Sequence, residues 1–343
     1  MTKEEIFKKW GASEGNVNGF TDEPIEGVDY LSYSRVSTFL KSAEHYRAKY
    51  IDKEESPESA AFAEGKVIHK ALLEMDDFLA RMRVKPHRSS FGIVTKEDLL
   101  SHARDCGITT VLPSWAKPKV IAELRNQDAD LSDSYDVALE EFESSLDENS
   151  MVFDEPTANR VIRIIKSVSA HPFARKLIDG GIPETIAYYH DKEFNVTWMA
   201  RLDYVKFFDG KAYITDLKST RDASEKQYQR DMANYGYFIQ SWIYRRVVEG
   251  ITGMETRFCQ AVVEKDSPFR TKVFYVDPQA EETAYWCIGR AIDRMKTCMA
   301  TNKWWDPDST GLIQASMPNW AVWDYEAKAE RELDATGGNS QST

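Results

Sequence analysis

Asp203, Asp216 and Lys218, within the stretch WMARLDYVKFFDGKAYITDLKST, have the residue types and spacing of a hydrolytic metal site. Between the acids lies Asp209-Gly210, and Asp-Gly between two apolar, β-rich runs is a strong signal for a two-residue hairpin turn. With 209 and 210 as the loop, residue 208 faces 211 and Asp203 faces Asp216. Opposed residues on antiparallel strands share a face, with Cβ atoms roughly 4.5–5.5 Å apart. Lys218 returns to that face because side chains alternate with period two. Carboxylates that close repel each other unless a cation lies between them, so the register predicts a metal site with an ammonium beside it. Both hairpin faces are apolar, with Val205, Phe207, Ala212 and Ile214 expected on the carboxylate side and Leu202, Tyr204, Phe208 and Tyr213 on the other. Acids buried there need a partner. The competing readings are solvated surface charges, or a bulge that moves one acid to the opposite face.

Four further groups fit metal-assisted phosphodiester hydrolysis. Glu184 opens the preceding strand and offers a third carboxylate, and His69 offers an imidazole from an upstream helix. Gln240 and Tyr244 stand four residues apart on the helix after the hairpin and so project from one face. The main-chain carbonyl of Leu217, between Asp216 and Lys218, is a neutral oxygen donor. Carboxylates, a carbonyl and water suit Mg²⁺ or Mn²⁺, and a single imidazole does not argue for zinc. Taken singly, each has an ordinary structural reading; their joint occurrence carries the argument.

The elements that must position these groups follow from apolar spacing. Residues 1–29 read as a flexible leader. Ser32 or Ser34 caps a helix over roughly 35–50, with Val36, Phe39, Leu40, Ala43, Tyr46 and Tyr50 at helical intervals. A Pro/Ser/Glu-rich break at 53–59 precedes a helix over about 60–83, which turns Phe62, Ile68, Leu72 and Leu73 to the core and carries His69. Residues 86–150, two short helices and an acidic run, read as a helical insertion. A helix over 156–179 ends at Gly180-Gly181, a strand near 184–190 leads into the hairpin, and a helix over about 224–249 stops at Gly250. Strands at 256–264 and 270–276 make a second hairpin; Asp277 then caps a helix that Pro278 opens, running to about 302. A Trp-rich tail follows, expected to be disordered over 331–343. This order predicts an α+β fold, a central mixed β-sheet flanked by helices, in one domain spanning 30–330.

Composition bounds the rest. A chain of 343 residues with 42% hydrophobic and 12% aromatic content is globular. Cys106, Cys259, Cys287 and Cys298 form no CxxC pair and read as reduced thiols. No signal peptide or bilayer-length apolar run is visible, so a soluble intracellular protein is expected. The net charge of −12 argues on average against nucleic acid. Bases nevertheless gather near the acids (Arg201, Lys206, Lys211, Arg221, Lys226, Arg230, Arg245, Arg246), which allows a basic groove beneath an acidic exterior.

The set resembles the PD-(D/E)XK nuclease superfamily, with its restriction-endonuclease-like core, and within it the RecE-like exonuclease VIII group of phages and prophages. The resemblance runs from about Leu31 to Trp320. LSYSRVSTFLKSAEHYRAKY, FAEGKVIHKALLE, ARLDYV, ITDLKST, YFIQSWIY and MPNWA carry it. It implies metal ligands at His69, Asp203, Asp216 and the Leu217 carbonyl, a catalytic Lys218, and an upstream acid at Glu184. Gln240 and Tyr244 match the Gln-xxx-Tyr signature, implied to orient the DNA end or the lysine's surroundings. Two departures are conservative: Leu202 stands where Pro is usual, and Asp216 where Glu is common. Some relatives hold an iron–sulfur cluster through four flanking cysteines; the cysteines here are placed otherwise, so no cluster is expected. The resemblance implies a Mg²⁺-dependent exonuclease, with Mn²⁺ substituting, that digests linear double-stranded DNA 5′→3′ and leaves 3′ tails for strand annealing. It also implies a ring-shaped homo-oligomer, a RecT-like single-strand annealing partner, and work in a bacterial host's cytoplasm. Rival readings are a site- or structure-specific endonuclease on the same core, an inactive DNA-binding module, and a metalloenzyme with no nucleic-acid substrate.

Overall fold

A computed structural model describes residues 1–13, 15–54, 60–305, 312 and 314–337, with side chains at 60–63 and 332–337 left out. Residues 55–59 of the break anticipated at 53–59, and the side chain of Phe62, thus lie outside what is described. The chain opens with α1 (Lys3–Trp10), whose Thr2 and Glu5 form a reciprocal capping box, and β1 (Gly19–Thr21). Residues 1–29 are therefore not a flexible leader: Ile6 and Phe20 are each 1% exposed and pack into the main core. Thr2-x-x-Glu5 and the i,i+4 spacing of Ile6 and Trp10 are helix signals in the sequence, whereas Phe20 is revealed only by the sheet edge that it joins.

β2 (Leu31–Ser32) leads into α2 (Tyr33–Lys41), capped by Ser32 through the Arg35 N–H. The single helix expected to residue 50 breaks at Ser42, which caps α3 (Ala43–Tyr46). The next expected helix is likewise two, α4 (Ala60–Leu73) and α5 (Met75–Arg81). β3 (Met82–Val84) then begins an excursion through α6 (Lys96–Asp105), α7 (Lys117–Asn126) and α8 (Tyr135–Ser144), which returns on β4 (Met151–Phe153). β3 and β4 pair in parallel, Met82 beside Met151, so the excursion leaves and re-enters at neighbouring points. Leu99, Val120 and Leu124 form its own buried cluster.

α9 (Glu155–Ala170) and α10 (Pro172–Ile178) divide at His171, because the residue before proline is driven out of the helical region. β5 (Ile182–Asp191), β6 (Val196–Phe208) and β7 (Lys211–Thr220) follow as an antiparallel meander. Asp209 (φ 50°) and Gly210 (φ 71°) supply the two positive φ angles of the favoured hairpin turn. The crossover to β8 (Thr256–Glu264) is α11 (Glu225–Tyr235) and α12 (Tyr237–Thr252), split at Gly236 with φ 72°. α12 runs past Gly250 and ends at Gly253. β9 (Thr271–Tyr275), α13 (Pro278–Thr301), capped by Asp277, and α14 (Asn319–Gly337) complete the chain. The tail expected to be disordered from 331 is helical to Gly337, and residues 338–343 lie outside the described part.

The mixed sheet has the order β1-β5-β6-β7-β8-β9, with β2 also pairing in parallel with β6. One face carries α1, α2, α12 and α13 over Val205, Ala212, Ile214 and Phe258. The other carries α4, α9 and α10 over Tyr204, Leu217, Ala261 and Val263. The alternation of β6 reverses midway: Leu202 packs on the first face with Val205, while Tyr204 packs on the second. This corrects the expectation that Leu202 and Tyr204 share a side. β5 reverses at the same level, where Glu184 has φ 47° and the ladder omits the pairing of 184 with 203. Among the described residues no helix is long and apolar enough to cross a membrane.

Candidate active site

The site lies in a fork of the sheet. β6 pairs with β2 at Trp198 and Met199 and with β7 from Tyr204 onward, leaving its edge unpaired in between. The hairpin keeps the expected register from Phe208↔Lys211 to Tyr204↔Thr215. No ladder pair forms one step further, at Asp203 and Asp216. Instead the Asp203 carboxylate accepts the Leu217 N–H at 2.8 Å, while β7 continues away alongside β8.

Asp216 is buried and surrounded by donors. Lys218 Nζ stands 2.5 Å from its Oδ2, Gln240 Nε2 donates to Oδ1 at 2.7 Å, and Gln260 Nε2 donates to Oδ2 at 2.9 Å. His69, on α4, approaches from the other helical layer, with Nδ1 3.5 Å from Asp203 Oδ2 and the Leu217 main chain within its reach. The two layers thus meet at the carboxylates: Gln240 comes from α12 and His69 from α4. Tyr244 is buried below Gln240, its ring edge-on to Phe258. Glu184 is solvent-exposed, and its negative charge acts on both His69 and Asp203.

Electrostatics follow from this crowding. Burial, then the charge of Asp216, pushes the Asp203 carboxyl well above the usual carboxylate range. Burial would lower the Lys218 ammonium, but Asp216 and Asp203 outweigh it and hold the group protonated beyond its ordinary range. Burial lowers His69, which leaves a neutral imidazole at pH 7 with a free lone pair.

Gln260 escaped the sequence reading. It stands beside Asp216 in the parallel ladder and is anchored by Tyr228, whose hydroxyl donates to its Oε1 at 2.6 Å. Its only sequence signal is a lone amide in the apolar run FCQAVV. The expected basic groove is thinner than the sequence suggests. Arg245 is tied to Glu249 and Glu281, Arg246 to Asp191 and Glu193, and Lys211 to Glu255. Lys206 donates to the Lys176 and Asp179 carbonyls behind α10. Those four bases hold the fold together, whereas Arg201, Arg221, Lys226 and Arg230 are exposed.

The donor set fits a hard divalent cation in its chemistry: two carboxylates, a neutral imidazole and a main-chain oxygen. Burial first, and then the neighbouring Asp216 charge, disfavour the Asp203 carboxylate, a cost that a cation would offset, and Gln240 Oε1 is buried without a hydrogen-bond partner. Among the described residues no three His, Cys, Asp or Glu side chains enclose an ion by themselves. Water and the main chain must complete any coordination, as is usual for Mg²⁺.

A mixed sheet that splays at two acids, with a lysine two residues beyond the second, defines the PD-(D/E)XK nuclease class. The chain belongs to the family described as PDDEXK-like domain of unknown function (DUF3799), whose model matches residues 32–316. Among solved structures, a protein from Eubacterium rectale provisionally described as an exonuclease is similar at 13% identity, with 87% of this chain and 93% of that chain covered and a TM-score of 0.50. That likeness speaks to the fold. A second, of SSO0001, has 12% identity, coverage of 58% and 85%, and a TM-score of 0.24, too low to add to it. No curated protein matches the sequence.

Proposed function

We propose that this nuclease is a divalent-metal-dependent exonuclease that shortens linear double-stranded DNA, 5′→3′, leaving 3′ single strands for annealing. The observation that carries the reading is the protonated Lys218 2.5 Å from Asp216, with Asp203 and His69 closing from the opposite side. Asp203, Asp216, His69 and the Leu217 carbonyl would hold Mg²⁺ or Mn²⁺, with Glu184 near enough to add charge. A bound cation would supply Lewis-acid polarisation of the phosphodiester and of the attacking water. Water adds to phosphorus, the bond to the departing 3′ oxygen breaks, and that oxygen takes up a proton. Lys218 stays an ammonium and stabilises charge on the phosphoryl oxygens. Gln240 and Gln260 fix the Asp216 carboxylate by donating to opposite oxygens, and Tyr244 supports Gln240 from below. Likeness to the RecE-like group supports the finer points: polarity, a ring-shaped homo-oligomer and a RecT-like annealing partner.

Time-resolved digestion of end-labelled linear duplex tests the proposal. Release of nucleotides is expected with Mg²⁺ or Mn²⁺ and not with a chelator, while covalently closed circles stay intact. Asp216→Asn should lower turnover by at least about a thousandfold while DNA binding persists. Cutting of closed circles would replace the exonuclease by an endonuclease. Inertness towards every DNA form with every divalent ion would leave only a DNA-binding module.

A further inference from the structure

Tyr235 ends α11 at the Gly236 break and is 58% exposed. Its ring stacks on Tyr237, with centroids 5.7 Å apart and planes 26° from parallel. Tyr237 in turn lies beneath the Lys218 ammonium, 5.5 Å from Nζ to the ring centroid. A continuous aromatic path therefore leads from solvent to the lysine. Lys218, Arg221, Tyr235 and Tyr237 line one cavity of about 460 Å³. On its other side Tyr235 lines a second, of about 870 Å³, with Lys41, His45 and Lys49. The acids of the first cavity are already engaged: Asp222 accepts the Ser224 N–H and faces Arg270, and Asp231 accepts from Gln227. The backbone under the ring is fixed separately, because the Tyr33 hydroxyl donates to the Tyr235 carbonyl at 2.5 Å.

We propose that Tyr235 is a base-stacking platform for a nucleotide flanking the scissile phosphate, the strand passing from the Lys218 cavity over the ring towards Lys41 and Lys49. The inference rests on the nuclease reading above and adds a positioning residue to it. Every base has a π face, so a stacking contact holds a strand at a fixed distance from the lysine without preferring a sequence. The neighbouring ammonium groups supply charge complementary to the backbone.

The test uses the full-length protein with linear duplexes carrying 2-aminopurine near one end, whose fluorescence changes on stacking. Tyr235→Ala, which keeps the main-chain bond to Tyr33, should raise KM for DNA about tenfold or more and abolish the fluorescence change. Tyr235→Phe should restore both, since the ring and not the hydroxyl does the stacking. If Tyr235→Ala cuts DNA with wild-type KM and an unaltered fluorescence change, the platform is overturned and the nuclease reading stands. If the wild type neither binds nor cuts DNA, the nuclease reading falls and the platform with it.

Discussion

Asp216 draws its donors from three kinds of position: two residues along its own strand, one turn into the crossover helix, and the adjacent parallel strand. The first was legible because D-x-K fixes side-chain direction by alternation alone. The second was legible through the Gln-xxx-Tyr spacing. The third, Gln260, depends on the register between β7 and β8, which the whole length of α11 and α12 sets and no local rule reveals. Replacing it tests its weight. Gln260→Ala removes a donor to Asp216 and leaves the buried Tyr228 hydroxyl without an acceptor. A stability loss of about 1–3 kcal/mol in urea unfolding is expected. In steady-state nuclease assays kcat should fall several-fold with KM little changed, because the amide orients a carboxylate and does not touch the substrate.

At the scale of elements, apolar periodicity found most of the helices that pack on the sheet but missed their breaks, and it missed α1, α8 and α14 altogether. α2 and α3, α4 and α5, α9 and α10, and α11 and α12 each continue the apolar stripe of the helix before, so spacing alone fuses them. What divides them is local: a Ser42 hydroxyl cap, a proline after His171, the left-handed Gly236. The hairpin was legible to the residue because its turn chemistry is so restrictive. The phase reversal beyond it was not, since no residue type announces it. One elementary tie lends itself to a pH experiment. Glu264, at the end of β8, accepts from Arg270 and from the Ala223 N–H, binding the β9 loop to the segment before α11. The Arg270 hydrogen bonds, acting against burial, hold its carboxyl down to about 2. A depressed folded pKa stabilises above the unfolded value of about 4.3 and loses that contribution as pH falls towards 2. Glu264→Gln should therefore lower the urea midpoint at pH 7, and the gap to wild type should narrow steadily as the pH is lowered from about 4.5 to 2.5.

On the scale of the whole molecule, two layers of helices grip one sheet and the excursion over 85–150 stands apart with its own core. Because β3 and β4 are parallel neighbours, residues 86–149 can be replaced by a linker of about twelve residues, long enough for the return connection that parallel strands need. Thermal unfolding of that variant should stay a single transition, with Tm moved by no more than about 4 °C, the mark of a change near 1 kcal/mol in a chain of this size. Two transitions, or no folding at all, would mean that the excursion supports the main core.

The reversed pleat of β5 and β6 gives the molecule a line of weakness. Along that line rungs are missing on both sides of Asp203, whereas the β7–β8 ladder continues unbroken past Asp216, so the loss of pairing is confined to the strand that carries the first acid. Compliance is thereby concentrated beside the acids, where a bulky polyanion must be admitted, and the rest of the scaffold can stay rigid while it enters.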